Sequence, residues 1–569
     1  MLGPGILALA LFAMALPNRY GITSFHEANT AGHVYTVQSW VHFGTWSLAP
    51  ILCRTGPQHD IVDKSVRDGE PLLQKAPGLS WLAMVPYQGL VMLNGGVKLP
   101  FHWTAMVLAL ICALLPVALV AIGFYKALKR EIAPRYSLLP LLALLLASPI
   151  FTYSGMFQDV APAALLLFGG YLLLAGQRRP AGLVAAGFVI AAAGAINYSY
   201  LLFGLVVALV DLARRIIERD GALAAVGLAA LGALPVMSAL AVYHEVMWGS
   251  PLATAYDYLV DPGQIRHHES IGFAWATMGR TLVGPKQGFL FHAPWTAFGL
   301  LGLGILAARP ASRWRGVTGI AVVLTVVLFT SVMDTNNYDS MPFGRYSVAV
   351  YPWLALGLAG LLGAGATSAS AGWKWLVPPL VVATIAGGAV YQFATAWTYP
   401  YHHPLLASPL WQLNLPLLLN GAHLPPVLLS IFRPWFVPGV EGMEGYPVWV
   451  AIGAATMFIA LGAAALVSVR TPRRRRLPAV AIGIAAFLVV LFAGHQSVPV
   501  PSQVRERVAT MDLRADQVPP ELHEVVRQAR IEARLYEAAL TDIKGSAFTP
   551  QDVSWRDAGY PETNPWCSP

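Results

Sequence analysis

Along Val107–Gly123, Leu138–Phe151 and Ala451–Val469 the chain carries no charged side chain. Backbone exposed to lipid must satisfy its own hydrogen bonds, and about 20 apolar residues in a helix do this while crossing the hydrocarbon. Runs of this kind therefore dictate a bundle of membrane helices. The composition agrees: of 569 residues, 56% are hydrophobic and 12% charged, with a mean hydropathy of +0.57. Soluble domains carry about 25% charged residues. An ordinary cytosolic enzyme, a disordered tail and a nucleic-acid-binding protein are excluded.

The net charge of +8 is distributed unevenly. Lys126, Lys129, Arg130, Arg135, Arg178, Arg179, Arg214, Arg215, Arg219, Arg309, Arg313, Arg315, Lys374, Arg470 and Arg473–Arg476 lie in short connections between apolar runs, with only Glu131, Asp211, Glu218 and Asp220 against them. Such asymmetry sets orientation by the positive-inside rule and is no nucleic-acid footprint. Spans are expected near 2–16, 103–125, 137–154, 160–177, 182–197, 199–213, 222–245, 286–307, 316–333, 346–367, 375–395, 447–468 and 478–495. The fold class is thus an all-α polytopic membrane protein of about 13 helices, with a cytoplasmic N-terminus. Leu79–Asn94 is apolar too, but counting it as a span would turn Lys126–Arg135 outward, so it is read as interfacial or re-entrant. The polar loops 17–102, 246–285, 334–345 and 396–446 and the tail 496–569 then share the outer face. The organisation expected is a module over 1–395, an outer loop with two further spans over 396–495, and a helical outer-face tail over 496–569. Few ionisable residues fall at mid-membrane depth, unlike a pump or channel. Chemistry is expected at the outer interface.

Loop 17–102 begins with Phe25-His26-Glu27 at the membrane boundary. A carboxylate there is partly desolvated, which suits a general base, although an interfacial acid or a helix cap would read the same. From Ala31 to Trp46 the spacing of Val34, Val37, Trp40 and Val41 predicts a helix along the membrane surface. Further on, Asp60, Asp63, Lys64, Arg67, Asp68 and Lys75 mix charges of both signs, and Lys75-Ala-Pro-Gly puts a cation where a helix starts and its free N–H groups favour anions. A phosphate headgroup or plain solvation accounts for such a run. Tyr153 through Asp159 makes a tight outer turn, and Gly344-Arg345-Tyr346 opens a span, with Arg345 placed for a phosphate contact or for snorkelling. No metal-ligand spacing links the outer histidines His26, His33, His42, His59, His267 and His268, so no metal or cofactor is expected; a carboxylate-held divalent cation has no motif behind it. Cys53 and Cys567 both fall outside and could pair, while Cys112 lies within an apolar run.

These segments, in their order, resemble the GT-C glycosyltransferases, specifically a bacterial branch related to the dolichyl-phosphate-mannose protein mannosyltransferases and the lipid A aminoarabinose transferases. FHEANTAGHVYTVQSWVHFGTWSL resembles that branch in its acid after span 1, and DKSVRDGEPLLQKAPGLSWLAMVP in its Asp-Lys, Asp-Gly and Lys-Ala-Pro-Gly elements. WGSPLATAY, GPKQGFLFHAPW and FGRYSVAVYPWLALGLAG resemble three later loop motifs. The match covers residues 1 to about 365. It departs at the His-Glu pair, where many members have two acids, at Gln158, where a His is usual, and at Phe343. The resemblance implies an inverting transfer of a sugar from a polyprenyl-phosphate carrier to an envelope acceptor, on the outer face of the bacterial cytoplasmic membrane. Glu27 would be the base, with Asp63 and Asp159 orienting hydroxyls. Lys64, Lys75 and Arg345 would hold the donor phosphate, and His26, Tyr153 and Tyr346 would line the substrate. A non-catalytic lipid-linked-glycan binder or transporter, or a surface-polysaccharide polymerase or ligase, is the alternative.

Overall fold

In the computed structural model, the described residues are 2–17, 28–53, 61, 63–99, 101–131, 136–176, 179–259, 272–332, 344–367, 371–397, 408–415 and 447–468. Nearly all of them are helical. In chain order the elements are α1 (Leu2–Ala15), α2 (Ala28–Phe43), α3 (Ala49–Leu52), β1 (Lys64–Arg67), β2 (Glu70–Leu73), α4 (Gly78–Leu93), α5 (Phe101–Leu108) and α6 (Leu115–Glu131). Next come α7 (Leu138–Leu146), α8 (Ile150–Tyr153), α9 (Val160–Gly176), α10 (Pro180–Ile196), α11 (Ser199–Glu218) and α12 (Ala222–Trp248). They are followed by α13 (Trp275–Val283), α14 (Phe289–His292), α15 (Thr296–Ala308), α16 (Arg313–Val332), α17 (Tyr351–Thr367), α18 (Ala371–Trp397) and α19 (Pro447–Ser468). Trp103–Arg130, Ala222–Trp248, Pro310–Val332, Arg345–Gly365 and Leu376–Trp397 are long and apolar enough to cross a membrane, and six further apolar helices are shorter. The chain is a polytopic helical membrane protein. The expected span at 478–495 and the tail lie outside the described residues.

Local chemistry shapes these helices. Pro116 has no N–H to give to residue 112, and the stretch Ala109–Leu114 between α5 and α6 accordingly relaxes into a π-helix. The span expected at 137–154 is instead two pieces, α7 and α8. Pro149 cannot continue the ladder, and Ser148 Oγ bonds back to Leu144 O at 2.5 Å. Helix α11 outlasts its expected end at 213 because Asp211 accepts from both Arg214 and Arg215, each at 2.7 Å, one turn further on.

The described residues fall into two compact units, one drawn from 1–19, 109–240 and 267–498, the other from 20–108 and 241–266. In the first, α15 and α17 pack backbone to backbone. A Cβ on Gly302 would lie 1.8 Å from Gly357 O, and one on Gly357 would lie 2.1 Å from Gly299 O, so only glycine permits this approach. Small-residue contacts of this kind bring membrane helices together where the hydrophobic effect gives no preference for helix over lipid.

The second unit is a lobe built on α2 and α4. Asp68 and Gly69, with φ of 53° and 83°, turn β1 back onto β2 in register Lys64↔Leu73 through Arg67↔Glu70. An Asp-Gly pair with both residues at positive φ is the two-residue turn whose twist suits a hairpin. Helix α2 appears where the spacing predicts, and it is buried along most of its length, with Trp40 at 39% and Phe43 at 38% exposure near its end. Val34 and Val37 are buried, and so are Thr30, His33, Thr36, Gln38 and Ser39 around the rest of its circumference. Helix α4 buries Leu79, Ser80, Ala83, Tyr87 and Val91 and leaves Val85 at 80% and Leu93 at 88% exposure. That two-faced pattern suits a helix with one side in lipid.

Candidate functional site

Inside the lobe, Lys75 Nζ stands 3.2 Å from Asp63 Oδ1. It also donates to Gln74 Oε1 at 3.1 Å. The hairpin makes the pairing: Gln74 N–H donates to Asp63 O at 3.2 Å, one step beyond the last strand pair, so residues 63 and 75 meet at its open end. Three residues later α4 begins, so Lys75 sits where the free N–H groups of a helix start are offered. His33 Nδ1 and Ser80 Oγ, 2.9 Å apart, tie α2 to the first turn of α4 beside this pair. Burial, with Lys75 nearby, pulls the His33 pKa down from 6.5 to about 3, while Asp63 opposes the shift. His33 is therefore neutral. Lys64 is buried as well, and donates to Ile61 O at 2.7 Å.

The other face of the hairpin joins two sequence motifs. Ser65 Oγ donates to Ala255 O at 2.6 Å, and Arg67 Nη1 to Val246 O at 3.3 Å. A Cβ at Gly249 would lie 3.2 Å from Arg67 Nη2, so the Trp-Gly-Ser-Pro loop is fitted to the Asp-Gly hairpin. An aromatic cluster of Trp248, Tyr243, Trp46, Trp81 and Tyr258 fills the space beneath.

In the first unit, Asp159 is 3% exposed at the N-terminal end of α9, where its backbone oxygen accepts from Ala163. Its Oδ2 accepts from Asn197 Nδ2 at 2.8 Å. Edge-to-face rings then lead away from this carboxylate: Tyr200 to Phe203 at 5.3 Å, Phe203 to Phe329 at 5.7 Å, and Phe329 to Tyr346 at 5.7 Å. The Arg345 guanidinium lies over the Tyr346 ring at 5.3 Å, a cation–π contact. Just before it, a Cβ at Gly344 would lie 3.5 Å from Gln287 Cβ, which brings the Gly-Pro-Lys-Gln-Gly loop against Gly344-Arg345. Tyr153 is fully buried in α8.

Thus Asp63 and Lys75 come together in one unit with Lys64 close by in sequence, while a chain of edge-to-face rings runs from beside Asp159 to Tyr346 and Arg345 in the other. Glu27 and His26 lie outside the described residues, as do Asp60, His267, His268, Asp334 and Asp339. Among the described residues no three His, Cys, Asp or Glu side chains gather as a metal site. His33 stood out in the sequence only among possible metal ligands and Arg67 only within a charged run, and nothing marked Ser80, although the Asp-Gly dipeptide between two short β-prone runs announces the hairpin that carries Arg67.

No family model matches this chain and no curated protein matches it. Among solved structures it is similar to ArnT from Cupriavidus metallidurans bound to undecaprenyl phosphate, at 16% identity over 91% of this chain and 81% of that one, with a TM-score of 0.44. It is also similar to the archaeal oligosaccharyltransferase AglB from Archaeoglobus fulgidus, in complex with an inhibitory peptide and a dolichol-phosphate, at 11% identity over 82% of this chain and 56% of that one, with a TM-score of 0.36. Similarities this distant leave function to be argued from the residues.

Proposed function

We propose that this protein is a GT-C-type membrane glycosyltransferase that moves a sugar, with inversion, from a polyprenyl-phosphate carrier to an envelope acceptor at the outer face of the membrane. The observation that carries this is the buried Lys75–Asp63 pair at the start of α4. A cation in a largely desolvated lobe, next to a helix start, suits an anionic lipid headgroup. At an effective dielectric of about 20, a contact near 4 Å contributes about 4 kcal/mol before desolvation. Arg345, stacked on Tyr346, has the planar fork that phosphate recognition favours. The five ordered motifs of the sequence support the same assignment. Cys53 is disulfide-bonded, which supports an oxidising compartment for the loop that carries Asp63 and Lys75.

In this mechanism Glu27 takes the proton from the acceptor hydroxyl as it displaces the lipid phosphate, a contribution of about 10²–10⁴-fold. Asp63 and Asp159 orient sugar or acceptor hydroxyls. The departing phosphate is already anionic, so cations serve it better than a proton donor. The test is transfer by purified protein in lipid, supplied with radiolabelled polyprenyl-phosphate monosaccharides and crude envelope acceptors, wild type beside Glu27→Gln. Transfer that collapses in the variant establishes the enzyme and its base. Transfer that survives moves the base to Asp63 or Asp159. Binding of the lipid phosphate without any transfer would replace the enzyme with a binder or transporter.

A further inference from the structure

Asn197 separates α10 from α11 in extended backbone, and its amide can be oriented from its neighbours alone. One terminal atom receives the Ser199 backbone N–H at 3.2 Å and the Ser199 hydroxyl at 2.6 Å. A backbone N–H can only donate, so that atom is the amide oxygen. The NH₂ end therefore faces Asp159, to whose Oδ2 it donates at 2.8 Å. Tyr200, one residue past Ser199, donates its phenol to Val160 O at 3.4 Å and so pins the start of α11 against the start of α9.

We propose that Asn197 is a positioning residue that aims the Asp159 carboxylate for sugar transfer, with Ser199 fixing which end of the amide does so. This rests on the transferase reading above. An amide N–H holding one carboxylate oxygen limits the side chain to a narrow range of orientations, and small misplacements at a reacting site are costly. The arrangement is directional: an acceptor at 197 would repel Asp159, whereas exchanging the two residues would restore one donor and one carboxylate.

The experiment compares Asn197→Asp, Asp159→Asn and the exchanged double variant in the full chain, reading thermal stability and transfer kinetics in lipid. Asn197→Asp should lower kcat about 100-fold while the donor KM stays within about three-fold. The double variant should regain wild-type stability but not transfer, since the carboxylate is then displaced by one side chain. Wild-type kcat in Asn197→Asp would overturn the proposal, and so would a double variant that recovers transfer. If the wild type moves no sugar from any carrier, the transferase reading fails, and Asn197 is then at most a structural partner of Asp159. Stability losses that simply add in the double variant would remove even that pairing.

Discussion

Asp63 and Lys75 form an ion pair whose side chains are only 13% and 8% exposed, closed by a hairpin of two four-residue strands. Water screens such a pair weakly, and either charge left alone in the lobe is penalised.

Asp63→Asn or Lys75→Met alone should therefore destabilise the lobe by about 3–5 kcal/mol, the cost of a stranded charge. The double variant should recover much of that loss without recovering binding of a polyprenyl phosphate. Thermal unfolding and lipid-phosphate binding of all three variants check this. Purely additive destabilisation would show that the pair is not coupled.

The His33 pKa sets a pH dependence. Folding lowers it from 6.5 to about 3, so between those values the unfolded chain binds a proton that the folded chain refuses. Its contribution is complete above pH 6.5 and is lost as the pH falls, at about 1.4 kcal/mol per pH unit. Melting curves from pH 7 to 5 should slope for wild type and flatten for His33→Gln, which can keep a bond to Ser80. Equal slopes would place the effect on other groups.

Gly302→Leu should be among the most damaging substitutions in the first unit. A Cβ there already meets Gly357 O at 1.8 Å, so α15 and α17 would have to separate. Loss of the monodisperse species on size exclusion is the expected readout, with Gly304→Leu, whose Cβ meets nothing within 4 Å, as the tolerated control.

Cys112 is a free, buried thiol, whereas Cys53 is disulfide-bonded. A membrane-impermeant maleimide should leave the oxidised protein unlabelled and modify Cys53 once reductant is added. Labelling before reduction would contradict one of the two assignments, and mapping the modified cysteine tells which.

Much of the helical architecture was legible because lipid makes apolar length an almost sufficient signal. Val160–Gly176 and Ala222–Trp248 lie within a few residues of their expected positions for that reason. Breaks set by single side chains were less visible: Ser148-Pro149 divides one span, and Pro116 opens a π-helical stretch within another. At the candidate site, charge density drew attention to Asp63, Lys64 and Lys75, but composition could not show which of the lysines faces Asp63. That choice follows from strand register. The amphipathic spacing of α2 marked a helix but not its burial, because polar residues such as Thr36 and Ser39 look like a wet face until a lobe closes around them. Asn197 and Asp159 are far apart in the chain, and no local pattern joins them.

The strand register has one more consequence. Polar, exposed turns are ordinarily where a chain is cut, tagged or lengthened without harm. Here the stretch from Asp63 to Lys75 works as a measured arm: Lys64 faces Leu73 and Arg67 faces Glu70, and the same spacing delivers the two charges to each other. A single residue inserted beside Gly69 would rotate one strand's side chains to the opposite face and carry Lys75 away from Asp63. Among homologous chains, this segment should drift in sequence while keeping its length.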